Sequence, residues 1–193
     1  MINQRKQKIL DGAKKAIATK GIKHASVREI SSAAGITTGA IYHHYKCKED
    51  VLYDLMAESL DKSSQVLNET KNNSLKGDSV LNSVLNGVRE RFTKEEENKI
   101  QFYLAMTGIE DNEEIRTRFK ILYSQWIENI ESLLKAAYEK EEIKDINPLA
   151  TFLLSAIDGY ILQYMLGANT CSPEEFTAVY SDILFKGLPN IIK

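Results

Sequence analysis

Thr37-Thr38-Gly39-Ala40 places two hydroxyl side chains beside two of the smallest, and Tyr42, His43, His44, Lys46, Cys47 and Lys48 follow within one short stretch. These types at this spacing suit recognition. Hydroxyls, a phenol and an imidazole reach phosphate oxygens and base edges, and small residues let the backbone approach a surface closely. His43 and Cys47, at i and i+4, would share one helical face as metal ligands. However, adjacent His43 and His44 point about 100° apart on a helix, and no other His or Cys is near in sequence, so no metal is expected. The chain also lacks a Gly-rich phosphate loop, a paired-His zinc motif, Cys-x-x-Cys and an evident nucleophile–base pairing. Neither a catalytic role nor a cofactor is expected.

The elements that must position these residues are helical. Ile9, Leu10, Ala13, Ala16 and Ile17 recur at three- and four-residue spacing and predict an amphipathic helix from Asn3 to Thr19, closed by Gly21. Ser26-Val27-Arg28-Glu29 fits a capping box, opening a second helix that runs through Ile30, Ala33 and Ala34 and stops at Gly35. Thr37 then caps a third helix, Thr38 to Tyr45, which buries Ile41 and Tyr45 and turns Thr38, Tyr42 and His43 outward. Two short helices joined by a Gly-containing turn, with another packed across them, can lay one exposed helix in a DNA major groove. Tyr42, His43 and Lys48 suit phosphate contacts.

Charge separates this segment from the rest. Residues 1–48 hold ten Lys or Arg, two acids and all three His, a net +8, whereas the remainder carries 15 basic and 25 acidic residues, a net −10. A balance of −2 over 193 residues excludes a surface that binds polyanions throughout, and the asymmetry points to an N-terminal nucleic-acid module.

The run Ser26-Val27-Arg28-Glu29-Ile30, followed by Ala34-Gly35-Ile36-Thr37-Thr38-Gly39-Ala40-Ile41-Tyr42-His43-His44-Tyr45-Lys46-Cys47-Lys48-Glu49-Asp50-Val51, resembles the DNA-binding signature of tetracycline-repressor (TetR) family regulators. The resemblance covers about residues 5–55. It implies a helix-turn-helix head over 1–47 and an effector-binding, dimerising body over 48–193. Ile30, Ile36, Ile41 and Tyr45 would be core of the head. The DNA-binding set would be Ser26, Arg28, Thr37, Thr38, Gly39, Ala40, Tyr42, His43 and Lys48, with Lys48 gripping a phosphate. Thr38 stands where the family often has Lys, and Cys47 where a Ser or Asn cap is common.

In the body, helical period persists over about 48–70, a long connecting helix, and recurs at about 79–92, 99–108, 112–140, 147–167 and 173–187. That gives an all-α chain of about nine helices without a sheet. The acid-rich stretches Glu95-Glu96-Glu97 and Glu110 to Glu114 read as solvated turns. Leu149 to Ala168 reaches membrane-spanning length, but Asp158 near its middle favours a buried helix, so no membrane partner is expected. Cys47 and Cys171 form no disulfide framework and no signal core follows the start, so a cytoplasmic chain is expected.

Phe102, Tyr103, Met106, Tyr123, Trp126 and Tyr164 could line a ligand cavity, and each equally fits ordinary core. Asp158, within an apolar run, must be hydrogen-bonded, paired or at a surface; it fits either an effector contact or helix packing. The last two helices carry apolar residues on more than one side. Phe152, Ala156, Gly159, Tyr160, Phe176, Tyr180, Ile183 and Leu184 are therefore candidates for a two-fold four-helix interface, the interface the resemblance also implies. The resulting expectation is a homodimer on a palindromic duplex operator, released when a small, apolar effector acts through the 48–70 helix. The alternatives are a helical ligand-binding enzyme or carrier, and a sequence-neutral DNA binder.

Overall fold

A computed structural model describes residues 4–139 and 143–188. Asn3 and Lys140, outer bounds of two expected helices, lie outside the described residues. The described residues form ten α-helices and no strand: α1 Gln4–Lys20, α2 Val27–Ala34, α3 Thr38–Tyr42, α4 Lys48–Leu60, α5 Lys62–Asn72, α6 Asp78–Phe92, α7 Glu95–Glu110, α8 Glu113–Ala137, α9 Ile146–Met165 and α10 Pro173–Asp182. A π-helical turn, Ile183–Gly187, continues α10. The all-α expectation holds, and no helix among the described residues is long and apolar enough to cross a membrane.

Three local expectations are corrected. The single helix over 48–70 is two helices, because the Asp61 carboxylate caps a fresh start by accepting from the Ser64 N–H at 3.2 Å. That break raises the helix count from nine to ten. The third helix ends at Tyr42 rather than Tyr45, although the Tyr45 N–H still reaches the Ile41 carbonyl at 3.0 Å. Glu95-Glu96-Glu97 is the first turn of α7, where carboxylates favour the positive end of the helix dipole, and Glu113 and Glu114 open α8 in the same way.

The chain packs into two compact units. The first joins the chain up to Ser59 with Glu96–Arg118; the second joins Leu60–Glu95 with the chain from Phe119 onward. The sequence suggested a boundary after residue 47. Instead, α4 carries Val51, Leu52, Leu55 and Met56 into the core of the first unit, alongside Ile9, Leu10, Ile30 and Ile41. Ile36, expected in that core, is half-buried. In the second unit, Phe92 of α6 meets Tyr160 and Phe176 edge-on, while Tyr160 and Phe176 stack with ring centres 4.3 Å apart.

Candidate functional site

The first unit is organised around a close approach of α1 to α2. A Cβ on Gly12 would stand 2.6 Å from the Ala34 Cβ and 2.8 Å from the Ile30 carbonyl oxygen, so only glycine permits this spacing. The Ser26 oxygen accepts from the Glu29 N–H at 3.3 Å to open α2. The Glu29 carboxylate takes the Ser26 hydroxyl rather than closing a full capping box. Gly35, at φ +62°, ends α2 in the left-handed region that a side chain would strain. Thr37 Oγ1 then accepts from the Ala40 N–H at 3.2 Å and starts α3.

This framework turns the predicted contact residues outward. Ser26, Arg28, Thr37, Thr38, Gly39, Tyr42 and His43 are exposed, Tyr42 by 57%, and Ala40 is half-buried. A groove of about 400 Å³ along α3 is lined by Arg5, Lys8, Thr37, Ala40, His43 and His44, with Ile9 and Ile36 at its floor. Arg5 and Lys8 were absent from the sequence-derived set. Their signal was the +8 charge of the segment, which does not say which lysines and arginines stand beside α3. Lys48 has a different setting: its ammonium donates to the Ile22 carbonyl at 2.9 Å and the Lys23 carbonyl at 3.3 Å, and lies 5.4 Å from the Tyr103 ring centre. It thus clasps the turn that leads into α2.

A charged cluster fixes α4 within the same unit. Arg118 donates to Asp50 at 2.8 Å and Asp54 at 3.1 Å, Lys6 pairs with Asp54 at 2.8 Å, and Asp50 also accepts from the Lys46 N–H at 3.1 Å. Burial, reinforced by the Asp54 charge, pushes the Tyr45 hydroxyl well above the ordinary tyrosine range. Cys47 and Cys171 are free and half-buried, and burial raises the Cys47 thiol. Among the described residues, no group of three or more His, Cys, Asp or Glu could hold a metal ion.

The second unit holds a partly open cavity of about 90 Å³. Its walls are apolar side chains of α6, α8 and α9, chiefly Leu81, Val88, Ile130, Leu133, Leu153 and Ile157, joined by Trp126, Arg91, Lys62 and Ser63. Of the effector candidates, Trp126 lines it. Tyr123 and Asp158 stand behind it: the Tyr123 hydroxyl donates to Asp158 at 2.5 Å, Arg91 pairs with Asp158 at 3.4 Å, and the Tyr123 and Trp126 rings meet edge-on at 5.4 Å. Phe102, Tyr103 and Met106 belong to the first unit, and Tyr164 is exposed on α9. Spacing along α7 placed those three as plausibly as α8 placed Trp126; only packing separates them.

The subunit-contact candidates also divide. Phe152 and Gly159 are exposed, Phe152 by 60%, and Ala156, Phe176 and Ile183 are half-buried, whereas Tyr160, Tyr180 and Leu184 are interior. Val179 of the last helix, Leu162 of α9 and Leu166 just past its end add exposed apolar surface, Val179 by 62%. A Cβ on Gly159 would meet nothing within 4 Å.

Comparison with known proteins agrees with the geometry of the first unit. Residues 9–55, spanning most of α1 through the first half of α4, match the model of the family described as bacterial regulatory proteins, tetR family. The chain is 27% identical over 176 residues to the HTH-type transcriptional repressor AcnR of Corynebacterium glutamicum, covering 86% of this chain and 84% of that one. The fold is that of the fatty acid degradation regulator FadR from Bacillus halodurans, at TM-score 0.74 and 20% identity over 97% of this chain and 98% of that one. It is also that of a transcriptional regulator from Saccharomonospora viridis crystallised with choline, at TM-score 0.73 and 19% identity over 95% and 96%. The signature thus lies on a solvent-facing α3, within the residues that match the tetR family of bacterial regulatory proteins, and the likeness to a named repressor extends through the helical body.

Proposed function

We propose that this regulator represses transcription as a cytoplasmic homodimer bound to an inverted-repeat operator, without a catalytic role, and leaves the operator when a small effector occupies the second unit's cavity. The observation that carries the reading is the groove of the first unit, where Arg5 and Lys8 of α1 flank Thr37, Ala40 and His43 at the exposed face of α3. Cations beside a narrow helix with hydroxyl and small side chains supply phosphate grip and base reading together. AcnR, similar over most of the chain, is named a repressor. The choline complex of the Saccharomonospora regulator gives this fold a small-molecule ligand in a neighbour. Phe152, Gly159, Leu162 and Val179 supply apolar surface for a second copy.

Selection of random duplex DNA by the purified protein tests this directly. An enriched inverted repeat, with affinity lowered roughly tenfold or more by Thr38→Ala or Tyr42→Ala, is the expected result. Arg5→Ala and Lys8→Ala lower affinity for all sequences alike and reduce the salt slope by about one each. Recovery of DNA without a common site, or of none, rejects the reading.

A further inference from the structure

Lys48, the residue that the resemblance assigns to an operator phosphate, spends its charge inside the first unit. An ammonium has three N–H donors and no acceptor. The Lys48 ammonium donates to the Ile22 carbonyl at 2.9 Å and the Lys23 carbonyl at 3.3 Å, and stands 5.4 Å from the centre of the half-buried Tyr103 ring, within cation–π reach. Both carbonyls belong to the turn between α1 and α2. That turn's own backbone bonds run from His24 and Ala25 to the Gly21 carbonyl and from Ser26 to the His24 carbonyl, so the ammonium serves carbonyls that those bonds do not use. Ser26 at the end of the turn caps α2, and α2 passes through Gly35 to Thr37, the cap of α3. Lys48 opens α4 and Tyr103 lies on α7, so one cation ties the entry of α2 to two further helices.

We infer that Lys48 and Tyr103 are positioning residues for operator binding: Tyr103 holds the Lys48 ammonium against the Ile22 and Lys23 carbonyls, which fixes the entry to α2 and with it the placement of α3, and neither side chain takes a phosphate. This rests on the operator reading proposed above. Reaching a phosphate would require the ammonium to give up two charge-assisted hydrogen bonds and the ring face. Arg5 and Lys8, which line the groove along α3, are the cations placed for phosphate. Salt dependence separates the two roles. A cation on a phosphate displaces counterions, so its removal flattens the fall of log affinity with log salt by about one, whereas removing a cation spent on backbone carbonyls lowers affinity and leaves the slope.

Full-length wild type, Lys48→Met, Tyr103→Leu, Tyr103→Phe, the Lys48→Met, Tyr103→Leu double variant and Arg5→Ala are titrated with the selected duplex between about 50 and 200 mM salt, at a temperature where the melting curve of each shows it folded. Lys48→Met and Tyr103→Leu are each expected to weaken binding about five- to tenfold. Their slopes change by less than about half a unit, while Arg5→Ala flattens the slope by about one. The double variant loses no more than Lys48→Met alone, because the ring acts through the ammonium, and Tyr103→Phe, which keeps the ring face, binds as the wild type does. Hydrogen exchange of the Ala25 and Ser26 amides, followed without DNA, quickens in Lys48→Met and Tyr103→Leu and holds its wild-type rate in Arg5→Ala. A slope flattened by about one in Lys48→Met, undiminished affinity in either single variant, additive losses in the double variant or unchanged exchange overturns the inference. Wild-type protein that retains no duplex refutes the repressor reading and takes this inference with it, whereas wild-type protein that binds its operator alongside a phosphate-like slope change in Lys48→Met refutes only the positioning role.

Discussion

The Arg118 guanidinium lies 3.8 Å from the centre of the Tyr53 ring while the Tyr53 hydroxyl donates to the Arg118 carbonyl at 3.0 Å, so each residue holds the other at both ends. The same guanidinium reaches Asp50 and Asp54 through separate nitrogens. Arg118→Ala removes the cation–π contact and leaves Asp50 with the Lys46 N–H and Asp54 with Lys6, and is expected to lower stability by about 2 kcal/mol in urea unfolding. Arg118→Lys keeps the charge but not the planar fork and recovers no more than about half of that loss.

Gly12→Ala tests the α1–α2 contact. Its Cβ meets the backbone of Ile30 and Ala34, which cannot turn aside as a flexible side chain would, so the helices must separate. A loss of about 2 kcal/mol is expected. Operator affinity falls with it, because α2 and α3 shift against α1. Retained stability and affinity would show that the helices part without consequence for α3.

Gly159→Leu separates assembly from folding. The added side chain has open space within the chain, so circular dichroism and the melting temperature of the protomer should hold or rise slightly. Sedimentation velocity should show dimer lost to monomer if a second copy packs on this face. A dimer of unchanged strength would place the interface elsewhere.

Alkaline stability follows from two tyrosines. Burial raises the Tyr180 hydroxyl, which donates to the Leu153 carbonyl at 3.3 Å, and burial with the Asp54 charge raises Tyr45. A folded value raised above the unfolded one of about 10 contributes stability that is fully present below pH 10 and is lost as pH rises through the folded value. Unfolding free energy should therefore fall above about pH 10. Tyr180→Phe, less stable at neutral pH for want of the hydrogen bond, should show a shallower alkaline decline.

The head was legible in the sequence because its signals are local: Gly21 and Gly35 end helices in left-handed geometry, and Ser26 and Thr37 cap the next ones. The break at Asp61 was not, because apolar period runs through it and a lone N-cap aspartate is a weaker signal than periodicity. A full capping box at Ser172 and Glu175 opens α10 at the residue where the apolar period begins. What the body binds was least legible. Trp126 and Phe102 have the same kind of spacing on their own helices, and only packing between distant segments decides which one faces a cavity.

The compact unit that carries α3 closes with Glu96–Arg118, a segment separated from it by more than thirty residues of the other unit. Portability follows from this. A DNA-reading module cut after residue 59 and fused to a foreign sensor would leave behind Arg118 and Tyr103, and with them partners of Asp50, Asp54 and Lys48. A transplant that keeps its recognition helix in register must import α7 and the opening turns of α8 as well, so a working chimera has three splice points rather than one.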